Sequence, residues 1–349
     1  MMIYIHIPFC ESKCPYCAFN SYVSSKNTHK NYMAALLRQL ESDLQRFGVR
    51  SAQSLYIGGG TPSTVEAGLY EPLFERLSSV LEPNAEVTIE ANPGSFTPGW
   101  AEKMRRFGVN RLSLGVQSFD DGKLGVLGRV HSGAQAVKAL QTARSAGFAQ
   151  ISADLIYGVA GDTLEGLKGE LSCAKAHGAT HLSAYMLTLE EHTPFETRAD
   201  LCAEDEALFR AFGEAIEAAG YPRYEVAAFG KNPGRHNLGY WTGMDYLGIG
   251  AGATGTVGRV RYEPLKDPAA YAADPLARSE ETIDDAAWQM ERVMLGLRCL
   301  SGFEAALLAP AQLDRARLLA REGRLRFEGG RFFGTDFLIA DEAALFILG

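Results

Sequence analysis

The sequence has no excess of basic charge: 34 Lys and Arg stand against 42 Asp and Glu, for a formal net charge of −8. Nucleic-acid binders usually carry a basic face, so that class of partner is not expected. There is no uncharged apolar run of about 18 residues, the length a membrane-crossing helix needs. The first residues hold no basic stretch followed by an apolar run and a cleavage site; they pass straight into a strand-like pattern. These absences give the expectation of a cytoplasmic protein with no membrane span. Cysteine is scarce, six in 349 residues. Cys173, Cys202 and Cys299 are scattered, which suits small buried hydrophobes better than a disulfide framework. Apolar residues are plentiful, 46% of the chain, enough for a substantial core. The length suits two domains, or one large barrel with an appendage.

A unit recurs every 30 to 50 residues or so: a short apolar run, a glycine- or polar-rich turn, then a helical pattern. The apolar runs are MIYIHIPF, SLYIGGG, EVTIEAN, RLSLGVQSF, ISADLIYGV and HLSAYMLTLE. Between them lie helical faces such as Tyr32, Leu36, Leu37, Leu40, Leu44 and Phe47, spaced mostly three or four apart. Strands alternating with helices at this spacing predict a parallel α/β sheet with crossover helices, either open and doubly wound or a barrel of fewer than eight strands. In both, chemistry collects at the carboxyl ends of the strands. After about residue 222 the rhythm breaks, and 225–265, rich in glycine and aromatics, reads as short strands or irregular loops. A helix over 280–300, another near 311–321 and a hairpin around Gly329-Gly330 suggest a small winged domain. That segment is not basic, so a packing or partner surface is expected there rather than a DNA-binding wing.

Three cysteines, Cys10, Cys14 and Cys17, fall just after the first strand in IYIHIPFCESKCPYCAFNSY. A closed structural metal site or a ferredoxin-type cluster takes four thiolates and a disulfide takes two. A 4Fe–4S cluster on three thiolates leaves one iron open to an external ligand. The alternatives are a zinc site completed by a distant histidine or cysteine, and a metal-free trio. Later strand ends carry GGGTPS, where a bare backbone can approach a ligand closely, and Glu90, a carboxylate able to accept from both hydroxyls of a ribose. Gln117, Arg129 and Asp154 sit in or just after apolar runs, where a polar group needs a partner: a cofactor, or a buried salt link. Tyr4 and His6 share one face of the first strand. His6 reads either as a cluster neighbour or as a satisfied core histidine.

Cys-x3-Cys-x2-Cys with an aromatic, Tyr16, before the last cysteine resembles the radical S-adenosylmethionine (SAM) family. The resemblance implies an open iron bound by the amino and carboxylate groups of SAM. An electron from the cluster then breaks a carbon–sulfur bond and releases a 5′-deoxyadenosyl radical, while the protein orients the cofactor. It implies SAM contacts for Tyr4, Tyr16, Gly59, Gly60, Thr61, Glu90, Gln117, Arg129 and Asp154.

Longer segments narrow the resemblance. YIHIPFC, CPYCAFNSY, LYIGGGTPS, IEANPG, DLIYGVAG, LSAYMLTLE and RHNLGYW followed by DYLGIGAGA are similar to the HemW group. These are heme chaperones related to HemN, the oxygen-independent coproporphyrinogen III dehydrogenase. The similarity runs from residue 3 to about 255, and more loosely beyond. It implies a partial (β/α)6 TIM-like barrel over 1–222, a connecting region over 223–279 and a winged-helix-like α+β domain over 280–349. It also implies a 4Fe–4S cluster, SAM and heme, with heme passed to an apo-hemoprotein acceptor of the respiratory kind. A homodimer is compatible with it, and the electron donor is not indicated. An imidazole can ligate heme iron, and the resemblance makes His236 of HNLGYW the candidate ligand, with Asn237, Tyr240 and Trp241 behind it. The alternatives are oxidative decarboxylation of coproporphyrinogen III and, further off, radical methylation or ring opening of heme. Against the dehydrogenase, that enzyme carries a cysteine where this chain has Phe19, and an extension ahead of the first strand. Against the chaperone pattern, Ala18 stands in place of an aspartate and Thr254 in place of a histidine.

Overall fold

The structure, a computed structural model, describes residues 1–23, 26–203 and 205–349. Six parallel strands follow the six apolar runs: β1 (Met2–Ile7), β2 (Ala52–Gly59), β3 (Leu81–Ala91), β4 (Arg111–Gln117), β5 (Gln150–Tyr157) and β6 (His181–Met186). Each neighbours the next in chain order. Parallel neighbours need a crossover, and the helices supply it: α1 (Lys26–Arg46), α2 (Glu71–Leu77), α3 (Pro98–Arg106), α4 (Asp121–Val126), α5 (Gly133–Ser145) and α6 (Leu164–Ala176), with α7 (Glu206–Ala218) after β6.

Alternation on the strands explains the layering. On β1, Ile3, Ile5 and Ile7 are fully buried toward the helices, as are Leu55 and Ile57 on β2. Tyr32, Leu36, Leu40 and Leu44 of α1 join the same core. Removing a side chain of this size from water contributes about 1.5–3 kcal/mol. The opposite faces are polar: Tyr4 and His6, Ser54 and Tyr56, Glu90, Ser113, Ser152 and Asp154. Helix starts are capped by side chains: Ser132 and Gln135 form a reciprocal box at α5, and Thr163 accepts from Gly166 N at α6.

The sheet extends past both ends of this set. β7 (Ala228–Gly230) pairs antiparallel with β6, and β8 (Tyr246–Ile249) pairs parallel with β1. Antiparallel β9 (Gly255–Val257), β10 (Val260–Pro264) and β11 (Arg278–Thr282) continue outward, giving eleven strands in one mixed sheet among the described residues. The region read as short strands or loops, 225–265, also contains a helix, α8 (Arg235–Trp241), and α9 (Pro268–Ala273) follows it. The first is held from outside: both oxygens of Glu86 accept from its opening amides, Arg235 N at 2.9 Å and His236 N at 3.0 Å. A carboxylate on a helix amino terminus is favourable, and no local pattern announces it.

The C-terminal segment has its own core, with Val293, Leu297, Phe303, Leu319, Leu325, Phe332 and Ile347 buried together. It is built from α10 (Asp285–Leu297), α11 (Pro310–Arg321) and α12 (Ala340–Leu348) around β12 (Phe303–Glu304), β13 (Leu325–Glu328) and β14 (Arg331–Gly334). The last two strands form the hairpin expected at Gly329-Gly330. Among the scattered cysteines only Cys299 is buried; Cys173 and Cys202 are half-buried. No helix is long and apolar enough to cross a membrane, among the described residues.

Candidate cluster and cofactor site

The loop after β1 is closed by a two-residue parallel pairing of Phe9–Cys10 with Tyr22–Val23. Tyr22 N donates to Pro8 O at 2.7 Å, and Cys17 N donates to Cys14 O at 3.1 Å, folding the cysteines into one compact turn. Their side chains line a cavity of about 530 Å³ at the carboxyl ends of the strands. Gly59, Gly60 and Thr61 line the same cavity from β2 and the turn after it, Glu90 from β3, Gln117 and Arg129 from β4 and the loop beyond α4, and Asp154 from β5. Tyr16 completes the wall beside the cysteines. Of the sequence-predicted SAM residues, only Tyr4 is not on the lining. Its hydroxyl bonds His6 Nδ1 at 2.9 Å, one layer deeper.

The glycines are sterically required. Gly59 has φ +115°, and a Cβ there would lie 2.4 Å from the His6 ring; at Gly60 it would lie 2.8 Å from Phe9 O and 3.0 Å from Cys10 Sγ. His6 itself is satisfied on both nitrogens, since Nε2 bonds Asn20 O at 2.9 Å, and burial lowers its pKa. It ties the far end of the cysteine loop to β1. Gln117 is a non-glycine residue at φ +63°, beside a register shift between β4 and β5. Backbone held in the left-handed region at a ligand-sized cavity is characteristic of a built site.

Two donors face the sulfurs. Arg129 Nη1 donates to Cys14 Sγ at 3.3 Å, and Thr61 Oγ1 donates to Cys10 Sγ at 3.5 Å. Burial raises the pKa of the Cys10 and Cys17 thiols, so binding iron must expel protons from them. Among the described residues no three His, Cys, Asp or Glu side chains are gathered for a single metal ion. Thiolates of a cubane bind different irons and stand wider apart than the donors of one ion, so three cysteines around a larger cavity fit a cluster. Arg129 Nε is buried with no hydrogen-bond partner, a polar atom that fits an anionic ligand group.

Glu90 is pushed up to about 7, by burial first and by the neighbouring Asp154 carboxylate; bonds from Tyr56 OH at 2.7 Å and Gly59 N at 3.0 Å oppose the shift. Asp154 is also raised by burial, while accepting from Ser113 Oγ at 2.8 Å and Ser152 Oγ at 3.0 Å. Among the described residues Asp154 forms no salt bridge, and its partners are the serine hydroxyls. Asn92 was not singled out in the sequence. It accepts from Arg129 Nη2 and donates to Thr61 Oγ1 at 3.3 Å. Strand alternation two residues past Glu90 was the available signal. Tyr185 and Met186, also on the lining, gave none.

His236 lies elsewhere. It is fully buried, with Nδ1 2.9 Å from Ser54 Oγ and Nε2 3.0 Å from Tyr240 OH, and burial pushes its pKa down to about 3. Ser54 is near the start of β2, so the ring sits toward the amino-terminal ends of the strands, off the cavity lining. With both nitrogens engaged, it offers no free position to an iron in this conformation.

Residues 4–171 match the profile of the Radical SAM superfamily. The heme chaperone HemW of Mycobacterium tuberculosis is 34% identical over 99% of this chain and 94% of its own length. That of Escherichia coli K12 is 40% identical over 74% of this chain and 70% of its own. The chain belongs to the HemW family. Among solved structures it is similar to the E. coli coproporphyrinogen III oxidase HemN, described as a radical SAM enzyme, with a TM-score of 0.84 and 21% identity over 99% of this chain and 89% of that one. That likeness speaks to the mixed α/β fold. Radical SAM membership carries the use of SAM and an iron–sulfur centre in general, and in this HemW-family chain the three cysteines and the strand-end residues share one cavity.

Proposed function

We propose that this HemW-family chain is a heme chaperone that holds a 4Fe–4S cluster and SAM in the cavity at the carboxyl ends of β1 to β5, with heme as cargo for an apo-hemoprotein acceptor. The observation that carries the reading is the convergence of Cys10, Cys14 and Cys17 with residues from four further strand ends on one cavity. Cys10, Cys14 and Cys17 would each hold one iron, with the donors of Thr61 and Arg129 stabilising thiolate charge. When bound, the cluster supplies an open iron and an electron for SAM. This chain's own residues do the rest: Gly59 to Thr61 let the backbone approach, the Glu90 carboxylate accepts hydroxyl protons, and Arg129 meets negative charge. The same reading takes β1 to β6 as a partial (β/α)6 barrel over 1–222, joined through 223–279 to a winged-helix-like unit over 280–349.

The chaperone reading is supported by relatives named as heme chaperones that match along nearly the whole chain. Phe19 stands, exposed, where the dehydrogenase has a further cysteine. His236 of HNLGYW stays the candidate heme ligand by the resemblance, and binding iron would exchange its bond to Ser54 or to Tyr240.

The test is anaerobic reconstitution. Iron and sulfide should approach about four of each per chain, and Cys14→Ser should remove most of both. Heme titration should give a bound visible spectrum, and the heme should pass to an apo-hemoprotein. Turnover of coproporphyrinogen III with SAM, in place of heme transfer, would move the assignment to the dehydrogenase.

A further inference from the structure

The cysteine loop leaves β1 after Ile7 and returns at Tyr22, which pairs with Phe9. Asn20, half-buried and three residues past Cys17, fastens that return. Its Nδ2 donates to two backbone carbonyls, Ala251 O and Lys266 O, both at 3.0 Å. Carbonyls only accept, so these partners fix which way the amide points. The backbone oxygen of the same residue meets His6 Nε2 at 2.9 Å. That oxygen also only accepts, and burial disfavours the charged ring, so the His6 proton sits on Nε2 and Nδ1 accepts from Tyr4 OH at 2.9 Å. Asn20 is thus held by β1 on one side and by the loop after β8 on the other.

The receiving backbone is fixed without help from the cysteine loop. Gly250 N donates to Gln39 Oε1 at 2.9 Å and Ala251 N to Tyr32 OH at 2.8 Å. Both side chains come from the buried face of α1. Gly252 N donates to Leu265 O at 3.1 Å, tying the turn to the end of β10. Gly252 also leaves the space that the amide enters, since a Cβ there would lie 2.7 Å from Asn20 Nδ2. The other ties on the return are longer: Lys13 Nζ to Phe19 O and to Ser21 O, and Tyr22 OH to Lys266 O, each at 3.4 Å.

We propose that Asn20 is a positioning residue for the iron–sulfur centre: its carboxamide latches the cysteine loop onto a socket that α1 and the loop after β8 build in advance. The latch touches no sulfur. Three residues span at most about 11 Å of extended chain, so freedom gained at Asn20 passes directly to the Cys17 thiolate. A loop already ordered loses little more freedom on taking up iron and sulfide, whereas a released loop must be ordered by the cluster itself. Tethered thiolates also recapture an iron that one of them lets go, because their local concentration stays high. Loss of the latch therefore shows first as a cluster that leaks iron.

The inference rests on the cluster reading of the three cysteines, and its test keeps the two apart. The full chain is reconstituted anaerobically, and iron loss to excess bathophenanthroline is timed for wild type, Asn20→Ala and Asn20→Asp. Asn20→Ala should lose iron about tenfold faster, the size of one or two neutral hydrogen bonds. Asn20→Asp keeps the shape of the side chain but sets carboxylate oxygens against two carbonyl oxygens, so it should leak at least as fast. It also carries the test should the alanine variant not fold. Leu319→Ala, in the separate C-terminal core, is the control for general destabilisation: it should lower the urea midpoint and leave iron loss at the wild-type rate. Wild-type iron loss in Asn20→Asp would overturn the proposal, since the side chain would then only fill space. So would equal leakage in Leu319→Ala and Asn20→Ala, since iron loss would then follow overall stability. A wild type that takes up no iron and sulfide would instead remove the cluster reading itself, and the latch with it.

Discussion

Arg129 reaches back 115 residues to donate to the Cys14 sulfur at 3.3 Å, while its second terminal nitrogen donates to Asn92 and to Gly115 O. One guanidinium thus joins the cysteine loop to the ends of β3 and β4. Its planar fork does this as a lysine cannot. Arg129→Lys should therefore behave nearly like Arg129→Met. Both should weaken SAM binding by about tenfold or more, the range for a lost charged hydrogen bond. Both should also move the cluster potential negative, because a donor to a cluster sulfur is removed. Dialysis and spectroelectrochemistry read the two effects, and a lysine variant at wild-type values in both would refute the fork argument.

Glu90 gives a pH dependence of defined sign. Burial holds its carboxyl at about 7 against an ordinary 4.5. Between those values the native chain keeps a proton that the unfolded chain has released, so stability falls as pH rises through the window. The contribution is fully present below about 4.5 and gone above about 7. It amounts to at most about 3 kcal/mol, less because the carboxyl borders a cavity open to water. Glu225 is also raised to about 7 by burial and adds its own decline. Buried histidines such as His236 and His131, pushed down to about 3 and about 4, add an opposite rise up to about pH 6.5. The Glu90 share is therefore read as the difference between wild type and Glu90→Gln in urea unfolding of the cluster-free protein at pH 5, 6, 7 and 8. Glu90→Gln should remove roughly one proton's worth of the fall, and an unchanged slope would contradict the assignment.

Much of this was legible in the sequence for physical reasons. The alternation of Ile3, Ile5 and Ile7 against Tyr4 and His6 fixes both the strand and its two faces, because a strand has period two. The spacing of Tyr32, Leu36, Leu40 and Leu44 does the same for α1. Chemistry-bearing residues stood at the ends of those runs, where parallel strands open to ligands. What could not be read depends on distant partners. His236 is placed by Ser54, 182 residues away, and by Glu86, which caps its helix from β3. α12 was missed for a different reason. Its buried face is Ala340, Ala343, Ala344 and Ile347, and alanine gives little contrast with the exposed Leu345 and Phe346.

Gly59 should tolerate no side chain. Its φ of +115° is strained for any other residue, and the Cβ would meet the His6 ring at 2.4 Å. His6 cannot retreat cheaply, since both ring nitrogens are bonded. Gly59→Ala should cost about 1–3 kcal/mol of stability for the backbone strain alone and should also break the Gly59 N bond to Glu90. Unfolding by urea and SAM dialysis should both report the loss, and a neutral alanine would mean the turn adapts without disturbing Glu90.

Strand β11 is fastened to helix α1 by a buried ion pair, which makes a sharper stability test than any surface charge. Asp43 of α1 and Arg278 of β11 meet at 2.7 Å, with side chains 0% and 7% exposed. Gln39 Nε2 donates to the other Asp43 oxygen at 2.9 Å, and the Arg278 guanidinium lies 4.5 Å over the Tyr262 ring. Arg278 also bonds Glu280, so removing Asp43 leaves the cation a partner only at the half-exposed rim. Breaking one side of a buried pair costs about 3–5 kcal/mol because the remaining charge stays desolvated. Asp43→Ala should therefore lower the urea midpoint far more than Arg46→Ala, whose pair with Glu280 is 46% and 34% exposed and contributes about 1 kcal/mol or less. Asp43→Ala combined with Arg278→Met should recover part of the loss, since the orphaned charge is then gone. Equal effects of the two single variants, or no recovery in the double, would show that the pair does not hold β11 to α1.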